Sequence, residues 1–228
     1  MAQIELVGVS KTYRNQVAVR ALTDVTLTIA RGEFAAVVGP SGSGKTTLLN
    51  LIGAIDRPDS GLIRIAGLQV TSTPAAQLAD FRLRHLGFVF QSFNLFPVLS
   101  VLENLEFVPA LRGTPRQERV ARARRLLEDM GMTELIGKRP EELSGGQQQR
   151  VAVLRAILPE PDVVLADEPT ANLDSENAAL LLDMMDRLNR ERAVTFLFST
   201  HDPAVMSRAR RLIRLRDGRV IGDETRES

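Results

Sequence analysis

The sequence predicts an α/β fold: a parallel sheet with helices on its faces, interrupted by one helical insert. Short, wholly apolar runs such as Phe34–Val38 and Val163–Ala166 suit strands covered on both faces. Between two later runs of this kind, Ala178, Leu181, Leu182, Met185 and Leu188 recur at helical spacing. From about Ser92 to Leu158 the strand pattern is replaced by helical spacing. Strands that alternate with helices close into a parallel sheet, because each parallel return needs a crossover.

The first forty residues read as strands. Val25, Leu27 and Ile29 alternate with Thr26 and Thr28, the period of a half-buried strand, and Arg31-Gly32-Glu33 turns the chain into the Phe34–Val38 run. Ile63–Gly67 forms a further short strand. In the insert, Val120, Ala123, Leu127 and Met130 share one helix face, flanked by Arg116, Arg119, Arg122, Arg124 and Arg125. Those arginines suit a solvated helix surface or a contact with acidic lipid or a partner. After Pro161 come the strands Val163–Ala166 and Ala193–Phe198. Leu212–Ile221 then carries Asp217-Gly218 between alternating runs, a hairpin whose arginines face outward.

With 228 residues, 44% hydrophobic and 25% charged, the chain can bury its own core as one domain, 1–228. It holds no Cys, which excludes disulfide scaffolds, thiolate metal sites and Cys nucleophiles. A net charge of +1 gives no electrostatic case for nucleic acid. The longest apolar runs are only five residues, as in Phe34–Val38 and Ala178–Leu182, so none spans a bilayer. Glu5 interrupts any leader-like stretch, and a cytoplasmic location is expected.

Gly39-Pro40-Ser41-Gly42-Ser43-Gly44-Lys45-Thr46 fits G-x-x-x-x-G-K-[ST] at every fixed position, after a buried strand and before a helix that opens at Thr47. Glycines let backbone N–H groups curl around phosphates, the helix N-terminus adds positive potential, Lys45 supplies a full charge and Thr46 a hydroxyl for Mg²⁺. Val163–Ala166 ends in Asp167-Glu168. Adjacent acids at the carboxyl end of a strand face opposite ways, so Asp167 is assigned to Mg²⁺ through water and Glu168 to the water that attacks the γ-phosphorus.

Leu143-Ser144-Gly145-Gly146-Gln147, lying between the phosphate loop and the acidic pair, resembles the signature of the ATP-binding cassette (ABC) ATPases, and the resemblance covers essentially the whole chain. It implies a P-loop core with a RecA-like mixed sheet and an N-terminal antiparallel β-subdomain (1–91 and 159–228), plus a helical signature subdomain (92–158). It implies ATP and Mg²⁺ as ligands. Tyr13 matches the aromatic that stacks on adenine, Gln91 the glutamine that meets Mg²⁺ and the attacking water, and His201 the switch histidine at the γ-phosphate. Asp174, in Asn172-Leu173-Asp174, matches the loop that touches a second copy. Ala171 departs from the Gly or Ser of many relatives and is expected to alter loop packing only. In the implied head-to-tail dimer, Ser144, Gly145, Gly146 and Gln147 of one copy cover the γ-phosphate held by the other.

The stretch Asp80–Pro97 with Leu102-Glu103-Asn104 is similar to the subfamily of lipoprotein-releasing, macrolide-exporting (LolD/MacB) and FtsE-like division ATPases. This implies a motor subunit that drives a separate permease from the cytoplasmic face of the membrane. The alternatives are a soluble, non-transport ABC ATPase and an FtsE-like regulator of envelope machinery. Phe93, Leu95, Phe96, Val98, Leu99, Val101, Leu102 and Leu105, broken by Pro97, suit either internal packing or a groove that receives a permease helix.

Overall fold

The computed structural model describes residues 2–14 and 18–226. Two sheets form its frame. An antiparallel sheet of four strands runs β2 (Ala18–Ala30), β1 (Ala2–Arg14), β4 (Ser60–Ile65), β5 (Leu68–Gln69). A six-stranded sheet runs β10 (Arg219–Thr225), β9 (Arg211–Arg216), β3 (Phe34–Val38), β8 (Thr195–Thr200), β7 (Val163–Asp167), β6 (Leu86–Val89), parallel except for the edge strand β10. The expected α/β class with an antiparallel subsidiary sheet is what the chain adopts.

β3 explains why its run is wholly apolar. Phe34, Ala36 and Val38 enter the core on one face of the large sheet, where α5 (Gly145–Ile157) and α6 (Ser175–Arg192) pack. Ala35 and Val37 enter the other, between the sheets and around α1 (Lys45–Ile52). Both faces of the strand are dry, so no polar residue is tolerated in it. α2 (Ala75–His85) lies before β6, while α3 (Val101–Leu111) and α4 (Arg116–Asp129) join α5 and α6 on the Phe34 side of the sheet.

Four expectations need adjusting. Residues 92–100 are not helical: Phe93 and Asn94 both take positive φ, 59° and 51°, and Pro97 follows, so the helix starts at Val101 behind a Ser100–Glu103 capping box. The strand placed at Ile63–Gly67 is Ser60–Ile65, because Ala66 and Gly67 form a two-residue left-handed turn into β5. β8 begins at Thr195, Ala193 being the left-handed cap of α6. The arginines are not all solvated. On α4, Arg119 and Arg122 reach Glu106 and Glu160. Arg124 and Arg125 are exposed. Among the described residues no helix is long and apolar enough to cross a membrane.

Candidate nucleotide site

The parallel strands deliver their chemistry at one edge. β3 runs into the Gly39–Gly44 loop, β7 ends at Asp167, β8 ends just before His201, and β6 leads to Gln91. Side chains at the carboxyl ends of parallel strands face one crevice. Here it is a cleft of about 630 Å³ lined by Tyr13, Pro40, Ser41, Gly42, Gly44, Lys45, Thr46, Thr47, Gln91, Glu168, Ala171 and His201 among others.

The loop's glycines have separate reasons. A Cβ on Gly39 would overlap the Leu215 carbonyl oxygen, so only glycine lets the loop pass β9. Gly44 caps α1 at φ 104°, a backbone region that side chains rarely adopt, and a Cβ there would overlap the Ala21 carbonyl. Lys45 is buried to 8% exposure, and its ammonium donates to the carbonyls of Gly39 (2.9 Å) and Pro40 (3.2 Å). It also stands 3.8 Å from Glu168 Oε1. The ammonium is thus folded back on its own loop carbonyls at the edge of the cleft. Ser43 is 2% exposed, and its Oγ has no hydrogen-bond partner.

The two acids diverge as alternation requires. Asp167 accepts from the Ser199 hydroxyl and from Thr46 Oγ1, 3.2 Å from each carboxylate oxygen. Glu168 turns toward the cleft, with His201 Nδ1 at 2.9 Å from its Oε1. Glu168 takes φ 47°, and its N–H donates to the Ser199 carbonyl at 3.0 Å. Tyr13 sits at the outer lip. Its hydroxyl donates to Asp56 Oδ2 (2.9 Å) and the Lys11 ammonium lies 5.1 Å from its ring centre. Burial pushes the phenol up, as does the Asp56 carboxylate. Burial works against the charge on Asp56, yet Lys11, the Arg57 N–H and the Tyr13 hydroxyl together hold it below the usual carboxylate range.

The family model for the ABC transporter matches residues 22–171, which span the phosphate loop, the signature and the acidic pair. The chain belongs to the ABC transporter family. It is 46% identical over 221 residues to a macrolide export ATP-binding/permease protein MacB of Rhodopseudomonas palustris, covering 96% of this chain and 34% of that protein. The chain thus spans about a third of the length of the MacB relatives it matches. It is 43% identical over 220 residues to the ABC transporter ATP-binding protein YxdL of Bacillus subtilis, covering 96% and 86% of the two chains. The dimeric, post-hydrolysis structure of the ATP-binding cassette MJ0796 with ADP and Pi superposes with a TM-score of 0.87 at 38% identity, covering 99% of each chain. This chain is accordingly an ABC ATPase.

In this ABC ATPase the signature lies away from the cleft. Ser144 caps α5, its Oγ accepting from Gln147 N–H (3.2 Å) while Gln147 Oε1 accepts from Ser144 N–H (2.9 Å). Neither Ser144, Gly145, Gly146 nor Gln147 lines the chain's own nucleotide cleft. Asp174 caps α6, accepting from Asn177 N–H and from the Asn177 amide, both at 2.8 Å. The Asn177 backbone N–H, then its side chain, hold the Asp174 carboxylate below its ordinary range. Asn172 Nδ2 donates to the Gln91 carbonyl at 3.0 Å.

Sequence reading missed three buried polar side chains behind the site. Asn104 is fully buried: its Oδ1 accepts from Phe96 N–H (2.8 Å), and its amide donates to the carbonyls of Phe96, Leu99 and Ser100. Arg155 donates to the carbonyls of Phe93 and Asn94, and burial pushes its pKa down. Gln149 bonds the carbonyls of Phe90 and Pro169. Their signal was present as polar residues on apolar helix faces; the partners of Asn104 lie within eight residues, whereas those of Arg155 and Gln149 are distant in the chain.

Proposed function

We propose that the chain is the ATP-hydrolysing motor subunit of an ABC transporter, closing head-to-tail on a second copy around two ATP molecules and driving a separate membrane permease. The observation that carries this is a cleft complete on one side only. It gathers a cation, a phosphate loop, a carboxylate and a histidine, while the capped N-terminus of α5 stands apart from it. A second copy would bring that end of α5, with Ser144, Gly145, Gly146 and Gln147, over the phosphates. Hydroxyl, N–H groups and helix potential there suit a negative charge. Asp174 lies in the loop that would meet the other copy.

Within one copy, the Gly39–Thr47 segment binds the phosphates, Lys45 neutralises them and Tyr13 stacks on the base. Glu168 takes the proton of the attacking water, and His201, already at its carboxylate, orients it toward the γ-phosphate. The donor set fits Mg²⁺: the Thr46 hydroxyl, the Asp167 carboxylate and the Gln91 amide oxygen are hard oxygen ligands, few enough to leave places for water and substrate phosphates. Those three residues would hold the ion, Asp167 through water, and the ion would neutralise charge on the phosphates.

The permease docks beside Phe93–Leu105. Val101 and Leu105 are core, but Phe96 and Val98 are exposed at 38% and 73%. Phe96 packs on Phe107, ring centres 4.4 Å apart and tilted by 44°, on the wall of a second, mainly apolar cavity of about 420 Å³ that is also lined by Leu83, Phe88 and Phe90. This cavity begins one residue from Gln91, which would link docking to hydrolysis. The lipoprotein-release and MacB-like type of machinery, the placement on the cytoplasmic face and the division into a core (1–91, 159–228) and a helical subdomain (92–158) belong to the same reading.

Glu168→Gln tests it. Removing the base at constant size lowers steady-state hydrolysis by about 10²–10⁴-fold while ATP binding survives, and the variant accumulates as an ATP-bound dimer on size exclusion. Wild-type turnover in Glu168→Gln would sink the assignment.

A further inference from the structure

Gln149 lies in α5, fully buried, outside the nucleotide cleft and outside the signature. Its Nε2 donates to the Pro169 carbonyl at 2.8 Å and to the Phe90 carbonyl at 3.3 Å. Its Oε1 is buried without a hydrogen-bond partner. Burying an amide with one end unmatched is unfavourable, and an apolar side chain of similar volume would pack the same space without that cost. The amide is therefore retained for its two donors.

The two carbonyls are not arbitrary. Phe90 immediately precedes Gln91, and Pro169 immediately follows Glu168. Glu168 has φ 47°, a conformation that a residue with a Cβ keeps only where its surroundings hold it. Its own N–H is tied to the Ser199 carbonyl at 3.0 Å, and the next residue's carbonyl is tied to Gln149. The left-handed kink is thus pinned on both sides. The same amide reaches the strand end that carries Gln91, and Asn172 closes the loop from the Glu168 side by donating to the Gln91 carbonyl. The helix that holds Gln149 opens at Ser144, so whatever moves that helix end pulls on one amide that grips both segments.

We propose that Gln149 is a positioning residue for hydrolysis: its single amide sets the spacing between the Gln91 and Glu168 segments and ties both to the signature helix. The inference rests on the roles given to Glu168 and Gln91 above. Gln149 touches neither nucleotide nor water and acts only through those two residues. Displacing a catalytic group by about 1 Å can cost 10²-fold in rate.

The test is single-turnover hydrolysis of ATP preloaded on the full chain and started with Mg²⁺, in Gln149→Met, Gln149→Asn and Glu168→Gln, with the Gln149→Met/Glu168→Gln pair. In Gln149→Met the first-order rate constant falls about 10- to 100-fold, while ATP affinity and the fraction of chains that bind ATP stay at wild type. Gln149→Asn, which keeps an amide too short to reach both carbonyls, falls between. Because the residue acts through Glu168, adding Gln149→Met to Glu168→Gln lowers the remaining rate far less than it does alone. An unchanged rate constant with reduced amplitude, a fully multiplicative double variant, or loss of folding in both Gln149 variants would assign the residue to the scaffold alone. Wild-type turnover in Glu168→Gln would overturn the functional reading and this inference with it. A slow Glu168→Gln beside an unimpaired Gln149→Met overturns this inference only.

Discussion

Gly146 is where the signature meets the loop proposed to touch a second copy, and adding one methyl group there tests that junction. A Cβ at this position would overlap Asn177 Oδ1 and lie 2.5 Å from its Cγ and 2.9 Å from its Cβ. The amide could rotate aside only by surrendering its 2.8 Å bond to Asp174. The Asn177 Cβ cannot retreat without shifting the start of α6. Overpacking of this kind costs about 1–3 kcal/mol. Alanine's better helix propensity returns at most about 1 kcal/mol, less in a first turn. The clash wins, and Gly146→Ala is destabilised by about 1–2 kcal/mol, which for a chain of this size lowers Tm by roughly 2–8 °C. Thermal melting followed by circular dichroism measures it. Asn177→Ala removes two of the three clashing atoms, so Gly146→Ala/Asn177→Ala recovers more than half of the loss relative to Asn177→Ala. A Gly146→Ala chain that melts with the wild type, or a double variant without recovery, would refute the argument that these two helix ends are in limiting contact.

Other outcomes follow from the site. Lys45→Ala removes the buried cation and weakens ATP binding about 10- to 100-fold by equilibrium titration, whereas Ser144→Arg leaves ATP binding by the monomer intact and abolishes the ATP-dependent dimer on size exclusion. Phe96→Ala, at an exposed position, leaves Tm near wild type and reduces the permease that co-purifies or its stimulation of hydrolysis; loss of folding with loss of binding would instead place Phe96 in the core. Asp56 is held below its ordinary range in the fold, so the stability it contributes is present above the unfolded carboxylate pKa of about 4 and is lost as pH falls through its lower folded value. Asp56→Asn should therefore flatten the acid limb of the Tm–pH curve, and an unchanged limb would remove the Lys11–Asp56–Tyr13 cluster from the account.

What the sequence determined by itself is what is local. The fold class was legible because β3 and β7 are short runs buried on both faces, and α6 keeps a clear apolar stripe. The phosphate loop, the acidic pair and the signature were legible because each needs contiguous residue types: glycines where a Cβ would strike a carbonyl, acids at a strand end, a serine before a helix. The same locality let the Asp217-Gly218 hairpin be placed from its turn alone. The non-helical shape of 92–100 was only partly legible: Pro97 marks a break, but the stretch is also held by a buried Asn104 on the next helix and by Arg155, some sixty residues further along the chain.

Only the tertiary structure decided how the pieces meet. Glu168 and His201 lie 33 residues apart in the chain yet 2.9 Å apart in space, because β7 and β8 are parallel neighbours. Thr46 and Asp167 are 121 residues apart and meet for a related reason: β3, which leads through the loop to Thr46 on α1, and β7, which ends at Asp167, open on one edge of the sheet. The helix that starts at Ser144 is anchored behind that edge rather than over it. A buried donor must find an acceptor wherever the packing supplies one, so Gln149, unremarkable among three successive glutamines, becomes the tie between two segments that periodicity alone could not connect.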